Sequence, residues 1–185
     1  MRIELKELLK TKSIKTGHFV LASGKESDLY VDCRVTTLDA RGAVMIGEVL
    51  FQILSEYCQN NKIRPKALGG LTMGADPIAL SVAIRSSLIG NGEVIQAFTV
   101  RKEAKGHGRG KKIEGNFNSG DEVIVVDDVI TTGESTLKAI QAIEEEGGKV
   151  LAALVLVDRE EGGRQKIESQ GYPVIAAYTR TELLS

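Results

Sequence analysis

Val123-Ile-Val-Val-Asp-Asp-Val-Ile-Thr-Thr-Gly-Glu-Ser135 decides the fold. Four β-formers run into two adjacent carboxylates, a turn with hydroxyls and one glycine follows, and an amphipathic helical pattern begins at Glu134. A strand that turns through Thr131-Thr132-Gly133 into a helix N-terminus suits a phosphorylated, hydroxyl-bearing ligand. Backbone N–H groups and the helix dipole favour phosphate, and carboxylates accept hydrogen bonds from sugar hydroxyls. Taken alone, Asp127-Asp128 reads equally well as a capped strand end, because Asp before a helix is a common cap. The hydroxyls of Thr131, Thr132 and Ser135, together with Gly133, shift the balance toward an anion nest.

Working outward, the pattern predicts a strand over Glu122–Asp127 and a helix over Glu134–Glu146. Leu137, Ile140 and Ile143 share one face of that helix, and Gly147-Gly148 closes it. Val150–Val157 reads as a strand buried on both faces, and Tyr172–Tyr178 as a last strand. Upstream, Ile3–Lys10 carries a helical stripe. Phe19–Cys33 reads as a hairpin or two short strands around Ser23-Gly24-Lys25. Asp39 is positioned to cap a helix running to about Tyr57, with Val44, Val49, Leu50, Ile53 and Leu54 as its apolar face. Ala67–Gly70 is a short buried strand, and 71–75 is the turn after it. Asp76-Pro77 reads as a cap and first-position proline of the next helix. Val94–Val100 is a strand, and 101–115 a basic, glycine-rich loop.

Alternating helices and strands with short connections give an α/β fold with a mainly parallel sheet. Ligands of such sheets sit at the carboxyl ends of strands. Gly69-Gly70 to Met73, Arg101-Lys102, Asp127-Asp128 and Asp158-Arg159 all fall at such ends. Asp127 and Asp128, at a strand's carboxyl end, are expected not to be needed for support of the core.

The 185 residues make one domain on length alone, and the formal net charge of −1 argues against a nucleic-acid binder. Arg101 to Lys112 nevertheless holds six Lys or Arg against one acid, Glu103. That stretch reads either as a solvated basic surface or as a lid over a multiply charged leaving group. Cys33 and Cys58 form no metal-like spacing with His18 or His107, which fits a reducing cytoplasm. The N-terminus lacks a signal-peptide core, and the longest apolar run, Val150–Val157, is too short to span a bilayer. No membrane partner is expected. Competing phosphate motifs fail: Gly110-Lys111 is followed by Lys112 rather than Ser or Thr, and Gly106–Gly110 opens no apolar helix. Arg159 reads either as a structural ion-pair partner or as a planar fork for substrate oxygens.

The chain resembles the type I phosphoribosyltransferases. Val123–Ser135 resembles their motif for phosphoribosyl pyrophosphate (PRPP). Arg101-Lys-Glu-Ala-Lys-Gly-His107, Asp158-Arg159 and Gly17-His-Phe-Val-Leu-Ala-Ser-Gly24 resemble the orotate-specific branch, and the likeness extends over essentially the whole chain. The resemblance implies a type I phosphoribosyltransferase fold: a mainly parallel, twisted sheet flanked by helices. A small N-terminal hood would come mainly from about 1–35, and the core from about 36–185. It implies transfer of a 5-phosphoribosyl group from PRPP to orotate in pyrimidine biosynthesis. Mg²⁺ would be held mainly by PRPP and not directly by protein. The implied PRPP set is Arg101, Lys102, Lys105, His107, Asp127, Asp128, Val129, Ile130, Thr131, Thr132, Gly133, Glu134 and Ser135. Lys102, Lys105, His107, Asp127 and Asp128 are its catalytic members. Thr131 and Arg159 would border orotate, and Thr72-Met73 would sit in the pyrophosphate loop.

A homodimer is implied as well, in which Lys102 acts in its own subunit while Arg101, Lys105 and His107 reach the neighbour's site. Two departures stand out: Ala22 and Thr72-Met73 replace a lysine and an aromatic–lysine pair that many members carry. The sequence also admits two other readings, a phosphoribosyltransferase for another nucleobase and a non-catalytic PRPP-binding regulator.

Overall fold

The structure, a computed structural model, describes residues 1–20, 26–89, 94–103 and 112–185. Its organising strand is β6 (Glu122–Ile130). Side chains of a strand alternate between faces. Val123 and Val125 accordingly enter one hydrophobic core, while Ile124 and Val126 enter another on the opposite side of the sheet.

The elements before β6 are α1 (Arg2–Lys12), β1 (Ile14–Val20), β2 (Glu26–Val31), α2 (Arg34–Thr37), α3 (Ala40–Asn61), β3 (Ala67–Leu71), α4 (Ala75–Ile89), β4 (Gln96–Val100) and β5 (Ile113–Gly115). After β6 come α5 (Glu134–Glu145), β7 (Lys149–Asp158), α6 (Gly163–Glu168), β8 (Val174–Thr179) and α7 (Arg180–Leu184). Six strands form one sheet in the order β5-β4-β3-β6-β7-β8, parallel throughout except for β5. Helices α1, α3 and α4 cover one face through Leu5, Leu9, Ile46, Leu50, Ile78 and Val82. Helices α5 and α6 cover the other through Ile140, Ile143 and Ile167. The β1–β2 ribbon is antiparallel and forms a separate two-stranded sheet.

The chain leaves β3 toward β4 on one side and returns to β6 on the other. The β3/β6 boundary is therefore the topological switch point, where the crevice at the carboxyl ends opens.

Several boundaries differ from the sequence reading. Strand β6 continues three residues past Asp127, because β7 extends alongside and pairs Val129 with Val157 and Ile130 with Asp158. Asp39 does cap α3, accepting from the Gly42 amide at 2.8 Å. Val44, however, is 67 % exposed, and the buried stripe runs through Met45, Ile46, Val49, Leu50 and Leu54 instead. Helix α4 begins at Ala75, so Asp76 and Pro77 lie inside its first turn. There the proline's missing N–H costs no helical hydrogen bond. Part of the expected 101–115 loop, Ile113–Gly115, pairs antiparallel with β4.

Candidate active site

Four parallel strands lie side by side in the order β4-β3-β6-β7, and their carboxyl ends carry the chemistry-bearing residues. Gly70 must lack a side chain, because a Cβ there would collide with the Val126 carbonyl oxygen. Beyond it, the turn Thr72–Gly74 crosses the switch point, and its Thr72–Met73 peptide is cis. Gly74 faces the Asp128 carboxylate so closely that a Cβ would sit 2.5 Å from Asp128 Oδ1.

The two adjacent acids have different surroundings. Asp127 is 6 % exposed, and its Oδ2 accepts from Ser135 Oγ at 2.9 Å and Thr136 Oγ1 at 2.8 Å. Its Oδ1 accepts from the Asp128 amide at 3.0 Å. Asp127 thus ties β6 to the first turn of α5. This corrects the expectation that both acids are free of the scaffold: the strand continues past them, and its pleat sends Asp127 into the α5 interface. Asp128 turns toward Gly74 and is half-buried. Burial raises the pKa of Asp127 above the ordinary carboxylate value, with its three hydrogen-bond donors opposing the rise. Asp128 is pushed up to about 6, first by burial and then by the charge of Asp127.

The turn between β6 and α5 is the candidate anion cradle. Gly133 takes φ +76°, a left-handed value that favours glycine. A Cβ on it would also press on the Gly163 carbonyl oxygen and Ile167. The amides that open α5 face the crevice end of the strand, where the helix dipole favours an anion. Thr131 and Ser135 are half-buried beside this turn, while Thr132 and Glu134 are exposed. Val129 and Ile130 send their side chains into the cores, which leaves only their main chain to meet a ligand.

Arg159 follows β7 and is 7 % exposed. Its Nη2 pairs with Glu161 Oε1 at 2.6 Å and approaches the Leu29 carbonyl oxygen of β2 at 3.4 Å. The guanidinium thus joins an ion pair at the end of β7 to the N-terminal ribbon. Asp158 is a fixing group: Oδ1 accepts from the Glu160 amide at 2.9 Å and Oδ2 from Arg164 Nε at 2.8 Å.

At the end of β4, Arg101 pairs with Glu114 at 2.7 Å, and Lys102 is exposed. The Arg101 amide donates to the Lys112 carbonyl at 2.8 Å, which closes the neck of the basic segment. Lys105 and His107 lie outside the described residues. A cavity of about 620 Å³ joins this neck to the cradle, lined among others by Arg101, Lys102, Lys112, Thr132, Ser135 and Lys138. Sequence reasoning missed Thr136 and Lys138. A hydroxyl inside a helix gives no signal by itself, and Lys138 reads as an ordinary solvated face.

Residues 37–173 match the phosphoribosyl transferase domain family. The orotate phosphoribosyltransferase of Aquifex aeolicus is 44 % identical over 186 aligned positions, which span 99 % of this chain and 97 % of that one. The crystal structure of Mycobacterium tuberculosis orotate phosphoribosyltransferase with inorganic phosphate superposes with a TM-score of 0.82 at 34 % identity, covering 100 % of this chain and 98 % of that chain. The same enzyme in complex with PRPP gives a TM-score of 0.78 at 34 % identity, covering 100 % and 99 %. The chain belongs to the phosphoribosyltransferase family, in its orotate phosphoribosyltransferase branch.

Proposed function

We propose that this chain transfers the 5-phosphoribosyl group of PRPP to orotate, giving orotidine 5′-phosphate and pyrophosphate on the way to UMP. The observation that carries this reading is the crevice itself. Asp128 faces Gly74 across the switch point, the left-handed Gly133 turn follows on the same strand, and Arg159 at the end of the neighbouring β7 donates its amide to Ile130 at the end of β6.

In the reaction a ring nitrogen of orotate forms a bond to the anomeric carbon as the bond to pyrophosphate breaks. The protein positions both partners and stabilises charge growing on the leaving group. Amides of the Thr131–Ser135 turn hold the 5′-phosphate, and Asp128 accepts from a ribose hydroxyl. Asp127 shapes the cradle through Ser135 and Thr136. Arg159 reads orotate oxygens as a planar donor fork, and Thr131 borders the ring. Lys102 and the basic segment beyond it, with Lys105 and His107, close on the pyrophosphate and exclude water.

Among the described residues no group of three or more His, Cys, Asp or Glu is arranged to hold a metal ion. A lone part-exposed carboxylate, Asp128, fits a hard cation that keeps its waters and travels on substrate phosphates. Mg²⁺ bound in that way would neutralise charge on the departing pyrophosphate.

A homodimer completes the reading, with Arg101, Lys105 and His107 serving the neighbouring site. Its support is the outer side of α4, where Leu80, Ile84 and Leu88 are exposed at four-residue spacing although the inner side is also apolar. An exposed apolar stripe of this kind suits cover by a second copy of the chain. No helix among the described residues is long and apolar enough to cross a membrane. Cys33 and Cys58 are free thiols, which suits the cytoplasm.

Incubation with PRPP, Mg²⁺ and a panel of free bases tests the substrate. Pyrophosphate release with orotate, and little with uracil, adenine or hypoxanthine, is the expected result. Preference for a purine would replace orotate with another base.

A further inference from the structure

Thr72 and Met73 offer no cation to a pyrophosphate. The Thr72 hydroxyl is already engaged, donating to Asp76 Oδ2 at 2.7 Å, and the Met73 side chain is 67 % exposed. The other carboxylate oxygen of Asp76, Oδ1, accepts from the hydroxyl of Thr99. Thr99 lies on β4 opposite Gly70 of β3, two residues before Arg101. The Thr72 amide in turn donates to the Val100 carbonyl at 2.9 Å. One carboxylate in the first turn of α4 therefore joins the turn at the switch point to the strand that leads into the basic segment.

An acid at this position needs a reason. Its charge lies close to where an anion would sit, and like charges at such range repel. Both of its oxygens are taken up by hydroxyl donors, which aims the carboxylate back into the scaffold. On the far side, Gly74 meets Asp128 with no room for a side chain.

We propose that Asp76 is a positioning residue for pyrophosphate: through Thr72 and Thr99 it fixes the Thr72–Gly74 turn, so that main-chain amides there grip the leaving group in the absence of a lysine. The proposal rests on the phosphoribosyl-transfer reading of the same site. Asp76 touches no substrate, and its effect is specific to pyrophosphate and PRPP, because Arg159 on the orotate side is held by Glu161 and the Leu29 carbonyl and not by Asp76.

The test compares Asp76→Ala, Asp76→Asn and the double variant Thr72→Val/Thr99→Val by calorimetric binding of Mg²⁺-pyrophosphate, by KM for PRPP and for orotate, and by thermal melting. Asp76→Ala and the double variant should weaken pyrophosphate binding and raise KM for PRPP by about tenfold, as loss of hydrogen bonds to a charged group implies. KM for orotate should stay within about twofold. Asp76→Asn, which keeps the shape and can still bond both hydroxyls, should stay close to wild type. Unchanged pyrophosphate binding in Asp76→Ala would overturn the proposal, as would an equal rise in both KM values accompanied by a lower melting temperature. Wild-type protein that binds no pyrophosphate would overturn the phosphoribosyl-transfer reading along with it. Wild-type binding that Asp76→Ala leaves intact would overturn the positioning role alone.

Discussion

Thr136 Oγ1 donates to Asp127 Oδ2 at 2.8 Å, and both side chains are buried. With Ser135 on the same oxygen, the pair clamps β6 to the first turn of α5 and thereby sets the shape of the phosphate cradle. Thr136→Val leaves a buried carboxylate with one donor fewer. It should destabilise the fold by about 1–3 kcal/mol, a fall of roughly 2–4 °C in Tm per kcal/mol for a chain of this size. Chemical denaturation measures the first figure and calorimetry the second. A variant as stable as wild type would show that the clamp is not a structural contact.

Asp128 differs from its neighbour in having no such tie to a helix among the described residues. Asp128→Asn should therefore raise KM for PRPP strongly while leaving the melting temperature at pH 8 equal to, or above, that of wild type. A large melting drop with normal kinetics would return Asp128 to the role of a structural cap.

The same residue gives a pH dependence with a definite sign. Burial first, and then the Asp127 charge, raise the Asp128 pKa from 3.8 to about 6. A raised carboxyl pKa means that folding favours the neutral form. The associated stability is fully present below the unfolded value and is lost as pH rises through the folded one. Ligand-free protein should therefore lose stability between about pH 4 and pH 7, and Asp128→Asn should flatten that decline. Activity has the opposite sign, since a charged carboxylate is the better acceptor for a ribose hydroxyl. The profile of kcat/KM for PRPP should fall on the acid side near pH 6. A flat profile from pH 5 to 8 would contradict this assignment.

Much of this arrangement was legible in the sequence because it is periodic or punctuated. Val123–Val126 is an unbroken run of β-formers, Gly133 marks the left-handed turn, and glycines stand at Gly69-Gly70 where β3 meets its neighbours. Side-chain partnerships were harder to read. The adjacent acids look equivalent as letters, yet a strand sends neighbours to opposite faces, so one is bound into a helix and the other faces the crevice. Asp76 reads as a cap because Pro77 follows it. Only the fold brings Thr72 and Thr99 to its two oxygens. Val44 is apolar without being buried because the inward stripe of α3 passes beside it.

In the proposed reaction, charge on the basic segment is needed when pyrophosphate departs. Lys105→Ala should lower turnover by about 2.7–4 kcal/mol of barrier, the usual cost of one transition-state donor, with orotate binding little changed. If the lysine serves the partner's site, inactive Lys105→Ala and Asp128→Ala chains should complement on mixing. Random exchange makes about half the dimers mixed, each with one intact site, and returns about a quarter of wild-type activity. A mixture that stays inactive despite proven exchange would place the segment in its own subunit's site.

The most direct measurement is the ultraviolet absorbance of orotate in the presence of enzyme, PRPP and Mg²⁺, with the product identified by mass. Orotate should disappear only when PRPP and Mg²⁺ are both present, with one pyrophosphate and one orotidine 5′-phosphate formed for each orotate consumed. Folded protein that binds PRPP yet leaves orotate untouched would contradict the account.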